Sequence, residues 1–366
     1  MRVELLIENL SPYLPAIAKA LPSHSPVPVL LNILLDATES GLFISATDLD
    51  LGIRVRIPAK VDAVGAVTVP GKQFLEIVNS LPKGRVSITQ EKETVTIDSA
   101  GGKIMLQTIP REEFPNLFEE KGERVYAFTR DELKDMFQKL VFATSLDGAR
   151  AELTGIYINQ KDEYVDCVAT DGYRLSLKRL MGDSVLEVGS GIIISGKFVQ
   201  EALALTAEKT EMYVHAMANQ VILEAEDLVL VGRLISGNFP NYERVIPESG
   251  STKITIDREE LQKAIKLVSV FARESANIVR VKIEDKTLQL FSRSSGVGEG
   301  DISIAVEQTG DDTEIAFNVK YLQDLLRVTD EKRIILELNG PQDASLFTLE
   351  KDTEFLHVIM PVRVQE

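Results

Sequence analysis

The chain has no tryptophan and a single cysteine among its 366 residues, and aromatic residues make up 6%. The lone Cys167 excludes an internal disulfide and fits a reducing compartment, so a cytoplasmic protein is expected. Only three histidines occur, His24, His215 and His357, far apart and without an HExxH pattern or paired cysteines. No zinc or other metal site is therefore expected. No apolar run reaches the ~18 residues that a membrane helix needs, so no membrane partner is expected. Met1-Arg-Val-Glu leads straight into a strand pattern, so no signal peptide is expected either. Positive charge is also scarce, with 40 Lys and Arg against 56 Asp and Glu and a net charge of −16. Taken at face value, that argues against a nucleic-acid partner.

What the chain does have is repetition. Three stretches read as a strand, a turn and an amphipathic helix: residues 3–21, 125–142 and 254–271. Leu10, Leu133 and Leu261 hold equivalent places, at offsets of 123 and 128 residues. A second helix recurs after a short strand, led by Lys72, Lys197 and Lys320 at offsets of 125 and 123. Phe114-Pro115, Phe239-Pro240 and Met360-Pro361 close the copies, at offsets of 125 and 121. Such a period is far longer than the roughly 20–50 residues of a solenoid repeat. Between the helices lie strand patterns, among them residues 51–57, 174–180 and 301–306, and alternation at 53–57 and 302–304 marks half-buried strands. The expected fold is α+β, with three tandem like domains at 1–120, 125–247 and 252–366. Each packs two helices against antiparallel sheet. Residues 114–124 and 239–252, rich in Pro, Gly and charge, are expected linkers.

The charge is distributed unevenly. The six expected helices, 10–21, 72–80, 130–141, 197–205, 257–274 and 320–327, hold twelve basic and ten acidic residues. Leu261, Ile265, Val268 and Ala272 form one apolar stripe at helical spacing, which puts Lys263, Lys266 and Arg273 on the opposite face. A single such face is usually only a solvated surface. Here Lys19, Lys72, Lys134, Lys139, Lys197 and Lys320 repeat the theme, and such a lysine surface can hold DNA without reading its sequence.

Catalytic chemistry is not visible. Asp48-Leu-Asp50 has metal-like spacing but sits between strands, where it reads as a turn. Gly296-Val-Gly298-Glu-Gly300 has the wrong spacing for a dinucleotide loop and reads as a hairpin. Gly191-Ile-Ile-Ile-Ser-Gly196-Lys197 matches part of a phosphate-binding loop. Phe198 stands where the magnesium-holding hydroxyl belongs, and the sister copies lack the glycine spacing. Neither an enzyme nor a cofactor is expected.

Residues 169–175 (Ala-Thr-Asp-Gly-Tyr-Arg-Leu), 237–247 (Gly-Asn-Phe-Pro-Asn-Tyr-Glu-Arg-Val-Ile-Pro) and 357–363 (His-Val-Ile-Met-Pro-Val-Arg) together resemble the bacterial sliding clamps, the β subunits of DNA polymerase III. The resemblance covers the whole chain, including its length, triplication and ending. It implies a head-to-tail homodimeric ring of six like domains, with helices around a hole through which double-stranded DNA passes. A ring holds DNA by enclosure, so a modestly basic lining inside an acidic protein suits it. The resemblance implies DNA-facing roles for the basic residues named above and for His24. At that loop position the family often carries Arg, so His24 would make a weaker phosphate contact there.

It also implies a dimer interface at Ile104 and Leu106 on an edge strand and at Val270 and Phe271 at a helix end. Partner peptides are expected in a cleft formed by Leu153, Thr170, Gly172, Tyr173, Arg174, Leu175, Pro240 and Val245, together with Val358, Met360, Pro361, Val362, Arg363 and Val364. The apolar members would form its walls, Gly172 would allow close backbone approach, and Arg174 would engage polar peptide groups. Tyr173 stands where the family often has His, Val362 where it often has Met, and Gln365-Glu366 extend past the usual apolar end, so an altered rim is expected. The implied partners are the replicative polymerase's catalytic subunit, the clamp loader and other clamp-binding replication and repair proteins. A ring-shaped scaffold that gathers proteins without DNA is the alternative reading.

Overall fold

The computed structural model describes residues 1–118, 123–181, 191–206 and 211–363. The three equivalent leucines all turn inward: Leu10, Leu133 and Leu261 are 0%, 3% and 4% exposed. The first helix of the later copies is continuous, Arg130–Val141 and Arg258–Ala272. In the first copy the single helix expected over 10–21 is instead a broken path: Ile7–Leu10, a 3-10 turn at Ser11–Tyr13, then Leu14–Lys19. Pro12 and Pro15 supply no backbone N–H and cannot continue a helix opened at Ile7.

Capping follows the sequence. Asp257 Oδ1 accepts from the Glu260 amide at 3.0 Å, and Asn318 Oδ1 accepts from the Lys320 amide at 3.0 Å. Thr129 and Glu132 form a reciprocal capping box. On Arg258–Ala272 the predicted stripe is the buried face, with Leu261, Ile265, Val268 and Ala272 each at most 4% exposed.

The second helices, Gly71–Ser80, Gly196–Leu205 and Val319–Val328, follow short strands as expected. Before the middle one, Ile192–Ser195 pairs with Gly155–Gln160 and buries Ile193 and Ile194, so these residues form a strand and no phosphate loop. The glycines at 296 and 298 lie in the hairpin between Thr287–Ser294 and Gly298–Ala305.

The chain divides into two compact units, and the division does not follow the repeats. One unit holds Met1–Glu132 and Lys197–Leu234; the other holds Leu133–Gly196 and Ile235–Glu366. The middle copy is thus shared out, because its two halves complete different sheets. In the first unit an eight-stranded sheet joins Leu228–Arg233 of the middle copy to Leu51–Ile57 of the first, pairing Leu230 with Ile53. In the second unit a nine-stranded sheet joins Arg174–Met181 of the middle copy to Phe355–Ile359 of the third, pairing Leu175 with Val358. Each unit also carries a smaller sheet. The five-stranded one ends on Gly102–Gln107 and the four-stranded one on Gly298–Ala305. All pairings are antiparallel, and the inner side chains of the joined strands (Ile53, Val55, Leu230, Leu175, Val358) are at most 3% exposed.

Candidate partner-binding site and DNA-facing helices

The turn at residues 170–174 is fixed by its own side chains. Thr170 Oγ1 donates to the Arg174 carbonyl at 2.6 Å and accepts from the Gly172 amide at 3.1 Å. Asp171 Oδ1 accepts from the amides of Tyr173 at 2.9 Å and Arg174 at 3.0 Å. Gly172 sits at φ +93°, a left-handed conformation that glycine adopts without penalty. The result pushes Tyr173 outward, 65% exposed, and turns Arg174 inward, 9% exposed. The tail joins here. The Met360 amide donates to the Tyr173 carbonyl at 2.9 Å, and the Val362 amide donates to the Ala316 carbonyl at 2.8 Å.

A second segment lies over the same sheet face. Phe239 stacks on Tyr157, ring centres 4.7 Å apart, and Tyr242 is buried among Val168, Leu175, Leu177, Leu346 and Val358. The Tyr242 hydroxyl donates to Asp166 Oδ2 at 2.9 Å and accepts from Asn159 Nδ2 at 2.8 Å. Burial raises the pKa of this phenol, so it stays a donor. The expected linker, residues 239–252, is anchored on this face at Phe239 by an aromatic pair and at Tyr242 by a buried hydroxyl.

Three family models, for the N-terminal, central and C-terminal domains of the DNA polymerase III beta subunit, match residues 1–118, 127–241 and 243–363 in that order. The chain belongs to the DNA polymerase III beta subunit family. It is similar to the beta sliding clamp of Chlamydia muridarum, 29% identical over 351 residues that cover 96% of this chain and 95% of the relative. The beta sliding clamp of Synechocystis is likewise 29% identical, covering 97% of both chains. Among solved structures, the Bacillus subtilis sliding clamp superposes with a TM-score of 0.92 at 25% identity. The Bartonella birtlesii clamp, bound to griselimycin, does so with 0.92 at 27%. Both cover the whole of each chain. The chain is a DNA sliding clamp of three tandem domains. Its family is that of a processivity factor and not of a catalyst.

The residues expected to form the clamp's cleft fall into two sets. Leu153, Leu175 and Val358 are 1–3% exposed and belong to the core, so they form a floor and not open walls. Tyr173, Val245 and Met360 are exposed, 65%, 46% and 40%, while Thr170, Pro240, Pro361 and Val362 are half-buried and Gly172 and Arg363 are exposed. Val364, like Gln365-Glu366, lies outside the described residues. A pocket of about 530 Å³ opens beside the tail, lined by Val362, Arg363, Ala316 and Gln342 among others.

Arg174 has a structural role beside its expected one. Its guanidinium donates to Asp171 at 3.0 Å, Asp324 at 2.7 Å and the Phe142 carbonyl at 2.6 Å, and lies 4.5 Å from the centre of the Tyr321 ring. Three of its five N–H donors serve the protein and brace Val319–Val328. Asp324 lies 150 residues away in sequence, and spacing gave no sign of that partnership.

Lys139 departs from expectation. It does not stand on an open DNA-facing surface. It hydrogen-bonds Asp135 at 2.6 Å and Asp352 at 2.5 Å, and Lys178 joins the same Asp352 at 2.6 Å. Burial pulls the Lys139 pKa down, but these hydrogen bonds outweigh it and leave the ammonium more basic than usual.

Of the other cations, Lys19 pairs with Glu201 at 2.7 Å and Lys197 with Asp48 at 2.5 Å, while Lys263 reaches Glu259 only at 4.0 Å. Asp48 is the turn residue expected, accepting from the Asp50 and Leu51 amides, and no metal cluster occurs among the described residues. His24, Lys72, Lys134, Lys266, Arg273 and Lys320 are exposed. Among the described residues, no carboxylate lies within 4.0 Å of these last five cations. Among the described residues, no helix is long and apolar enough to cross a membrane.

Ile104 and Leu106 are half-buried on Gly102–Gln107, the outermost strand of its sheet. Val270 is 51% exposed. Phe271 packs on Gly300, where an added Cβ would meet the ring at 2.7 Å.

Proposed function

We propose that two copies of this clamp close head to tail around duplex DNA, slide on it without reading sequence, and tether the replicative polymerase for processive synthesis in the cytoplasm. The observation that carries this reading is the pair of open sheet edges, Gly102–Gln107 and Gly298–Ala305, each the last strand of its sheet. An open edge invites a partner strand. A contact between two unlike surfaces of one protein closes into a ring when its rotation permits. Ile104, Leu106, Val270 and Phe271 supply apolar side chains for that contact. The exposed Lys72, Lys134, Lys266, Arg273 and Lys320 offer phosphate contacts with no carboxylate competing at close range, alongside Lys19, His24, Lys197 and Lys263. The domain limits proposed from the repeat are 1–120, 125–247 and 252–366. The clamp loader, the polymerase catalytic subunit and other replication and repair partners would use the rim formed by Tyr173, Pro240, Val245, Met360, Pro361, Val362 and Arg363 over the Leu153, Leu175 and Val358 floor.

A loading experiment tests this reading. With a clamp loader and ATP, the protein should stay on a nicked circular plasmid through gel filtration and be released when the plasmid is cut. Loss from circles as fast as from linear DNA would sink the ring and favour a scaffold that does not hold DNA. Charged replacements at Ile104 and Phe271 should halve the mass measured by sedimentation, and an unchanged mass would remove that interface.

A further inference from the structure

The sheet face beneath Tyr242 continues beyond the cleft floor. Along it, Thr170, Leu175 and Val358 form one row, Val168, Leu177 and Leu356 the next, and Asp166, Arg179 and Glu354 lie beyond. At that far end is a second pocket of about 460 Å³. Its apolar wall is Leu177, Leu356, Ile246, Pro247 and Met181, the last 61% exposed. Its charged lining is Asp166, Glu243, Glu248 and Glu354 against one cation, Arg179. Arg179 is already spent on Asp166, in a two-pronged contact of 2.8 and 3.1 Å. Lys161 meets Glu243 at 3.2 Å, which leaves Glu248 and Glu354 to set the sign of the rim.

We propose that this pocket binds a basic, apolar segment next to the cleft-binding segment of the same partner protein. A Lys or Arg would lay its methylene stem on Leu177, Leu356 and Met181 and place its charge near Glu248 and Glu354. The acidic lining repels phosphate, so DNA is not the occupant. The proposal rests on the cleft reading above, because the two sites share one sheet face. From Leu175 to Arg179 is four residues of strand, roughly 13 Å, which about four extended residues of a partner would span.

The test uses the full-length clamp and a clamp-binding peptide from a relative's polymerase. The peptide is made as the core alone, and with a Lys-Leu-Lys extension four residues beyond either end. Binding is followed by fluorescence anisotropy at fixed salt. One of the two extensions should tighten binding about tenfold, roughly 1.4 kcal/mol. The variants Glu248→Lys with Glu354→Lys, and separately Met181→Asp, should erase that gain while leaving the core peptide's affinity unchanged. If neither extension improves on the core, or the gain survives both variants, the pocket proposal is wrong. A core peptide that does not bind the natural clamp sinks the cleft reading instead. The basic extension titrated alone then decides the pocket, and its failure to bind overturns that proposal too.

Discussion

The turns at 47–51 and 170–174 are the same turn built twice. Thr47 Oγ1 donates to the Leu51 carbonyl and accepts from the Leu49 amide, as Thr170 does for Arg174 and Gly172. Asp48 accepts from the amides of Asp50 and Leu51, as Asp171 does from those of Tyr173 and Arg174. Even the incoming strand end agrees. The Arg233 amide donates to the Asp50 carbonyl at 2.9 Å, and the Met360 amide to the Tyr173 carbonyl at 2.9 Å. The backbone therefore cannot explain why one joint is proposed to receive partners. The difference lies in side chains. Asp50, Leu51 and Arg233 at the first joint become Tyr173, Arg174 and Met360 at the second. Leu51 is buried as plain core, whereas Arg174 brings a charge network inward and leaves an aromatic and a Met exposed at the rim.

Exchanging these side chains tests how far the two joints can be interconverted. The largest effect is expected from Leu51→Arg. Glu201 holds the repeat position of Asp324 but already pairs with Lys19 at 2.7 Å, so an added cation at a 1% exposed site should cost about 4 kcal/mol in urea denaturation. A loss under 1 kcal/mol would mean that the two joints are interchangeable.

His357 gives the second joint a pH dependence of its own. Burial, then the nearby Arg174 charge, lowers its pKa to about 3, and its Nδ1 shares a hydrogen bond with Ser176. The unfolded chain takes up this proton near pH 6.5 and the folded chain does not, so stability is complete above that pH and falls as pH drops toward 3. About 2 kcal/mol should be lost by pH 5, and His357→Gln should flatten that slope; an unchanged slope would place its origin elsewhere.

Next in size, Tyr173→Asp, which copies the first turn, should weaken a polymerase-derived peptide about tenfold, close to 1.4 kcal/mol, without moving the denaturation midpoint. Undiminished binding would detach Tyr173 from the site. The smallest effect concerns the backbone. Leu49 holds φ +77° where the sister turn has Gly172, so Leu49→Gly should stabilise the chain by about 1 kcal/mol, read as a rise in midpoint. A fall would show that the Leu49 side chain contributes more than its strain.

The sequence disclosed what repeats and hid what crosses between repeats. Leu10, Leu133 and Leu261 announced three copies because each fills an equivalent core position. Ile193 and Ile194 were readable as strand because their sister strands lack the loop glycines. The roles of Arg174 and Lys139 were not readable, since Asp324 and Asp352 lie 150 and 213 residues away and no local pattern couples them. The sharing of the middle copy between two units was hidden for a related reason. A period shows where a motif recurs, but not which strand edges stay open for the next copy.

Those shared sheets bear on how the chain is made. Leu51–Ile57 waits for Leu228–Arg233, whose first residue is translated 171 residues after Ile57. Arg174–Met181 waits for Phe355–Ile359, which begins 174 residues after Met181. At about 5–20 residues per second, each apolar edge stands unpartnered on the ribosome for roughly 10–35 seconds. During biosynthesis the first and middle copies are each held incomplete by a strand not yet translated, and a nascent chain caught at that stage is where aggregation and chaperone capture should concentrate.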